Sequence, residues 1–286
     1  MSKLLYFLFF LCFNHFALSQ TVISGKIIDS QTKKAIPYVN IGVLHKKTGT
    51  VSDTVGRFKL IGVTRNLDDT LKMSCVGYNS FLLPLHSTNE DYFLENRTFE
   101  LDPSSEKLSE IVIRPGKIKT KILGNKIQNG MVVVGFSTTD LGSEVGTVLK
   151  YNKKNAGQIK DLNFCMNGTL FDSILFRVNL YEFKNGLPGK SILNDPIYIK
   201  AKAKSGNLSV DVTSQNIFVS GDTFLSIEWI EFASATAVPE KEKDFCKLWF
   251  NGGFLGSDSY YRETSQADWS KKEVGVGFWA TVLYKK

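Results

Sequence analysis

Apolar and polar residues alternate along many short stretches of this chain, and no stretch of ten residues carries a 3.6-residue apolar period with capping residues. Within residues 174–181, Ile174, Phe176, Val178 and Leu180 share one face, against Arg177 and Asn179 on the other. Residues 197–204 set Ile197, Ile199, Ala201 and Ala203 against Tyr198, Lys200, Lys202 and Lys204. Successive side chains of a strand point to opposite faces, so each segment offers one apolar side to the core of a sheet. The expected fold class is all-β.

The most informative dozen residues run Gly49-Thr50-Val51-Ser52-Asp53-Thr54-Val55-Gly56-Arg57-Phe58-Lys59-Leu60. They read as strand, tight turn, strand, with Val51 and Phe58 turned inward and Asp53 and Gly56 bracketing the reversal. Asp accepts hydrogen bonds from backbone N–H groups just ahead of it, and Gly takes a positive φ without a Cβ clash. Upstream, Val22-Ile23-Ser24-Gly25-Lys26-Ile27-Ile28-Asp29 is a strand, and Val39, Ile41 and Val43 alternate after Pro37. Pro37 has no N–H, so that strand begins at Tyr38 or lies at an edge. Residues 70–76, 80–85 and 97–101 add strands, and 108–113 a further one. Seven or so short strands with frequent turn signals predict a small β-sandwich.

Four blocks occur here in order: Gly25 to Asp29, Ala35-Ile36-Pro37-Tyr38-Val39-Asn40-Ile41, Gly49-Thr50-Val51-Ser52-Asp53 with Gly56-Arg57-Phe58, and Cys75-Val76-Gly77-Tyr78. Together they resemble the carboxypeptidase-regulatory-like domain, a transthyretin-like seven-stranded sandwich common at the start of exported Bacteroidota proteins. The resemblance implies a folding, spacing or docking unit and hands no catalytic role to any residue.

Residues 114–130 hold Arg114, Lys117, Lys119, Lys121 and Lys126 with no acid, and read as a solvated basic linker. Strand signals resume at Met131 and continue to a terminal run in which Val274, Val276, Phe278, Ala280, Val282 and Tyr284 share a face. Nine or ten strands over residues 131–286 predict a larger sandwich of jelly-roll-like style. The terminal strand is expected to close a sheet near the beginning of this module.

The chain opens with Lys3, an apolar run over residues 4–13, and Ala17-Leu18-Ser19 ahead of Gln20, the pattern of a secretory signal peptide. That run is too short to span a bilayer, and no later segment is long and apolar enough to do so as a helix. The expected organisation is a signal peptide over 1–19, a regulatory-like sandwich over 20–102, a strand plus basic linker over 103–130, and a second sandwich over 131–286. The product is expected to be exported to the periplasm, the outer membrane or the cell surface. Its positive charge, concentrated in that linker, reads first as a solvated face, with attraction to anionic envelope components as the sharper alternative, and export argues against nucleic acid.

Chemistry is sparse. Outside the leader only His45 and His86 remain, and no His, Cys and carboxylate spacing would hold zinc, so no cofactor or metal is expected. Cys75, Cys165 and Cys246 are an odd set; Cys165 and Cys246 could pair after export, but buried thiols are the commoner case. No nucleophile elbow and no phosphate-cradling glycine pattern occurs. Glu228 and Glu231 form the single acid pair on a strong strand. Three residues apart, they point to opposite faces unless a bulge intervenes, which puts Glu228 at the surface and Glu231 near a strand end.

Trp249, Tyr260, Tyr261 and Trp269 surround the glycine-rich passage Asn251-Gly252-Gly253-Phe254-Leu255-Gly256-Ser257-Asp258, and form the candidate ligand-binding set. Aromatic faces beside Asn and Asp suit a sugar or an apolar peptide; the competing reading is a cluster of rings packed under a loop. The sequence therefore predicts a non-enzymatic envelope protein that binds or scaffolds, with a glycan or an envelope protein as partner. The alternatives are a polysaccharide or peptide hydrolase in the second module, and a purely structural component.

Overall fold

The computed structural model describes residues 21–63, 68–85, 95–105, 117–136, 141–202, 206–233, 248–254 and 258–285. The leader, His86, Cys246 and the strand expected over 108–113 lie outside them. The described residues are all-β, with 22 strands and one 3-10 turn at Thr213–Gln215.

The first module is a sandwich of seven strands. One sheet has the order β4-β1-β7 and the other β3-β2-β5-β6, where β1 is Thr21–Asp29, β2 Asn40–Val43, β3 Gly49–Val51, β4 Arg57–Val63, β5 Thr70–Ser74, β6 Phe81–Pro84 and β7 Arg97–Leu101. Ile23, Ile27, Val39, Ile41, Phe58, Leu60, Leu71, Met73 and Phe99 fill the space between them. The turn between β3 and β4 is held by Asp53, whose Oδ1 accepts from the N–H of Val55 at 2.9 Å and of Arg57 at 2.7 Å. Gly56 follows at φ +75°, where a Cβ would stand 2.5 Å from the Ile27 carbonyl oxygen. The quoted motif blocks also meet each other in space: the Tyr78 hydroxyl donates to Asp29 Oδ2 at 3.0 Å, and Asp29 Oδ1 accepts from the N–H groups of Gln31 and Thr32.

The second module is built on two larger sheets. The first runs β13-β12-β17-β10-β19-β20, with β14 also on β12: β10 is Glu144–Leu149, β12 Ser173–Lys184, β13 Leu187–Ser191, β14 Ile197–Lys202, β17 Thr223–Ala233, β19 Ser259–Arg262 and β20 Ser270–Lys272. The second runs β21-β18-β11-β22-β8, joined by β9, β15 and β16: β8 is Ile118–Gly124, β9 Val132–Phe136, β11 Gly157–Thr169, β15 Gly206–Asp211, β16 Phe218–Val219, β18 Leu248–Gly253, β21 Gly275–Val276 and β22 Phe278–Lys285. Phe136, Phe164, Phe176, Trp229, Phe250 and Phe278 are fully buried between them, in edge-on and tilted contacts with centroids 4.9–6.3 Å apart where they meet.

Residues 118–124, expected as linker, are a strand. They pair in antiparallel register with β22, from Ile118 opposite Lys285 to Gly124 opposite Trp279. Lys119 and Lys121 share the face of Leu123, but Lys119 is exposed and Lys121 only part-buried while Leu123 enters the core, so a lysine-rich stretch becomes an edge strand by burying one residue at its inner end. β22 lies between β8 and β11, which ties the terminal strand to the start of the module.

Candidate functional site

In β12 the alternation sends Phe176, Val178 and Leu180 into the core and Arg177, Asn179 and Tyr181 to the other face. In β17 it sends Leu225, Ile227 and Trp229 inward and Phe224, Ser226 and Glu228 outward. Registry then aligns one rung across four neighbouring strands: Arg177 faces Glu228, Glu228 faces Glu144 of β10, and Glu144 faces Arg262 of β19. The rung reads plus, minus, minus, plus. It is also dry, with Glu144 and Glu228 at 0% exposure and Arg177 at 2%.

Two carboxylates directly opposite each other repel, and the surrounding donors offset that repulsion. Arg177 donates to Glu228 through Nε at 2.9 Å and Nη2 at 2.8 Å. Arg262 donates to Glu144 through Nε at 2.8 Å and also through Nη2. The Asn179 amide nitrogen donates to both acids, at 2.9 Å to Glu144 and 3.0 Å to Glu228, and the Ser226 hydroxyl donates to Glu144. Burial alone would weaken the guanidinium charges, but Glu228 and Glu144 more than reverse this and hold both arginines above their ordinary values. The Arg262 guanidinium lies 4.4 Å from the Trp269 ring centroid and 5.8 Å from that of Tyr181.

This face is covered by the first module. Arg177 Nη1 donates to the Tyr38 carbonyl at 2.5 Å and Nη2 to Asn40 Oδ1. Tyr38 sits at φ +56°, a costly conformation for a residue with a side chain, and that backbone presents its carbonyl to Arg177. Its hydroxyl donates to Glu231 at 2.6 Å. Around the edge, Gln266 Nε2 donates to the Ser74 hydroxyl at 3.0 Å, the His45 N–H donates to the Gln266 carbonyl at 2.9 Å, and Lys47 pairs with Glu263 at 2.6 Å.

A cleft of about 490 Å³ opens where the two modules meet. Arg177, Asn179, Tyr181 and Arg262 line it from the second module, and Asn40, Lys72, Ser74 and Cys75 from the first. Its rim carries Asn79, Ser80, Ser104, Ser191 and Asn194, so amides and hydroxyls dominate the wall. Burial and Glu144 push the Tyr181 hydroxyl far up against the opposing pull of Arg262, keeping it a neutral donor. Burial also raises the Cys75 thiol, only partly countered by Arg177, so it is not an activated nucleophile. Among the described residues no cluster of three or more His, Cys, Asp or Glu side chains is arranged to hold a metal ion.

The aromatic set predicted from sequence is dispersed. Tyr260 and Trp269 pack on Phe224, at 5.7 Å and 5.0 Å, in a small cluster beside the rung. Tyr261 turns to the opposite face and meets Phe136 at 6.3 Å. Trp249 lies half-buried on β18 in the far sheet. None of the four lines the cleft, though Trp269 stacks on one residue that does.

Glu228, expected at the surface, is fully buried. The register of β17 against β12 slips between Trp229 and Glu231, leaving Ile230 as an extra residue. This bulge turns Glu231 to the same side as Glu228, which is why Tyr38 reaches one and Arg177 the other. Cys165 is buried beside Asn251, 3.2 Å from its amide nitrogen, and its candidate partner Cys246 lies outside the described residues. The residues sequence reasoning missed are Glu144, Arg262 and Lys72. The run Phe224-Leu225-Ser226-Ile227-Glu228-Trp229-Ile230 offers only a partial signal: Phe224 and Ile230 put apolar side chains beside Ser226 and Glu228, more than a solvated face needs.

Residues 23–113 match the CarboxypepD_reg-like domain. No curated protein matches the chain. Among solved structures the chain is similar to the cysteine protease and lectin-like domains of Cwp84, a surface layer associated protein of Clostridium difficile, at 12% identity over 92% of this chain and 58% of that one, with a TM-score of 0.38. It is similar also to the clostridial cysteine protease Cwp84 after propeptide cleavage, at 11% identity over 92% and 65%, with a TM-score of 0.35. The chain thus covers less than two thirds of either, and both likenesses are remote.

Proposed function

Proceeding from a first module of the CarboxypepD_reg-like kind seated on a larger β-sandwich, we propose that this is an exported envelope protein that binds a hydroxyl-rich ligand, a glycan, in the cleft between its modules. The observation that carries the reading is the cleft wall. Asn40, Asn79, Asn179 and Asn194, with Ser74, Ser80, Ser104 and Ser191, ring a volume suited to one or two sugar residues. A junction clamped by Arg177 and Gln266 would hold that wall in place without closure of a loop. Export rests on the basic, apolar and small-residue pattern of residues 3–19, and no helix among the described residues is long and apolar enough to cross a membrane.

The protein is read as a binder because its paired acids cannot serve a bound sugar. A general acid must come within hydrogen-bond reach of the atom it protonates. Glu144 and Glu228 are instead enclosed and surrounded by donors from Arg262, Ser226, Asn179 and Arg177. The test is a glycan array probed with the chain lacking residues 1–19, alongside the variant Asn79→Trp, which crowds the cleft mouth. Binding by the parent that falls at least tenfold in the variant is the expected result. An array blank for the parent rejects the reading, and binding unchanged by the variant rejects its location.

A further inference from the structure

Lys72 is the charge that the junction leaves over. Thr70, Lys72 and Ser74 point out of β5 toward the second module, while Leu71 and Met73 fill the core of the first. Ser74 is engaged by Gln266, whereas the Lys72 ammonium has no hydrogen bond or ion-pair partner among the described residues. Opposite it on β2 is Gly42, over which the Gln266 side chain packs, its Cγ 3.0 Å from where a Cβ would stand, and that neutral amide brings Lys72 no counter-charge. The second module offers Arg262, a like charge, and the two carboxylates of the rung are already taken by the two arginines. The cleft wall therefore presents Lys72 and the arginine edges, with no acid lining it among the described residues.

We infer that the cleft takes a saccharide carrying an acid group, with that group seated on Lys72 beside Arg262. This rests on the glycan reading and adds the class of sugar. A half-buried ammonium beside a guanidinium is unfavourable in the empty cleft, because desolvation and like-charge repulsion act together. Both pull the Lys72 value below that of an ordinary lysine. An anion entering between them removes the repulsion and forms charge-assisted bonds. Neutral sugars would still meet the amides and hydroxyls but would leave the lysine unanswered, so the preference for acid over neutral is a difference the cleft itself creates.

The test uses the chain lacking residues 1–19 and three oligosaccharides of one backbone: uronate-bearing, sulfated and neutral. Titration calorimetry should show at least one acidic form binding tenfold or more tightly than the neutral one, with the gap shrinking at high salt. Lys72→Met should abolish the gap, Lys72→Arg should keep it, and Lys59→Met, an outward cation on β4, should leave it untouched; circular dichroism checks that each variant is folded. Equal binding of acidic and neutral forms, or a preference that survives Lys72→Met, overturns the inference and leaves the glycan reading standing. Failure of all three sugars overturns both.

Discussion

The sheet that carries β12, β17 and β10 is buried on both faces by opposite chemistry. Toward the core of the second module it presents Ile174, Phe176, Val178, Leu180, Ile227 and Trp229, all within a few per cent of zero exposure. Toward the first module it presents Arg177, Asn179, Glu144, Ser226 and Glu228, equally hidden. The first face coheres through area removed from water and is tolerant of approximate shape. The second coheres only if every charge finds its partner, since a buried carboxylate without a donor costs several kcal/mol. A non-directional surface suits the inside of a module, and a charged rung suits the joint between two, where one relative placement must be selected. Offset by a single residue, the joint would take the Tyr38 carbonyl and the Asn40 side chain away from Arg177.

The sharpest way to break that contrast is to remove one partner at a time. Arg177→Met leaves Glu228 dry and unpaired, and Glu228→Leu does the same to Arg177; each should cost about 3–5 kcal/mol in urea unfolding. The double variant should recover most of that loss, because two apolar side chains of similar volume can fill the space. Phe176→Ala, one residue away on the apolar face, should cost a similar ~3–5 kcal/mol through the cavity it leaves, with no second substitution at the rung rescuing it. A neutral Arg177→Met would mean that water reaches the rung.

How much of this was legible follows the same division. Alternation in a single strand decides which residues go inward, so Ile174, Phe176, Val178 and Leu180 could be assigned to the core without coordinates, as could the turn at Asp53 and Gly56. The outward residues carry no such information. Glu228 reads as a surface residue, and Arg177 simply as one on the non-core face, because a lone strand does not say that another sheet will cover it. Their alignment with Glu144 and Arg262 depends on the register of four strands drawn from distant parts of the chain. The bulge at Ile230 was equally hidden, since an extra residue alters the alternation without altering composition. The aromatic set went the other way: Tyr260 and Tyr261 are adjacent in sequence and therefore opposite in space.

A smaller effect would sharpen the account of the joint. Gly49 in β3 lies against the second module, where a Cβ would stand 2.7 Å from Thr264 Cβ and 2.8 Å from its Cγ2. Gly49→Ala should therefore push the modules apart, at about 1–2 kcal/mol, while leaving each core intact. The expected signature is a melting curve that separates into two transitions. Thr264→Gly in the same background removes the Cβ, Cγ2 and Oγ1 contacts together and should bring the transitions back together. A single unshifted transition would place the selecting power of the joint in the charged rung alone.

The smallest expected effect contrasts the rung acids with an acid at a turn. Asp29 is held below the ordinary carboxylate value of 3.8, chiefly by the Thr32 N–H, against an opposing push from burial, with Gln31 and the Tyr78 hydroxyl adding to the lowering. The same contact, together with burial, pushes the Tyr78 hydroxyl up to about 12. A carboxyl whose folded value is depressed stabilises the fold fully above its unfolded value, and that contribution is lost as the pH falls through the folded one. Asp29→Asn should therefore unfold at lower denaturant than the parent near neutral pH, and the difference should close only below 3.8. Because Asp29 belongs wholly to the first module, the shift should appear in that module's transition in the Gly49→Ala background and be absent from the second. A difference that persisted undiminished into strong acid would show that the side chain's shape, and not its charge, holds the turn.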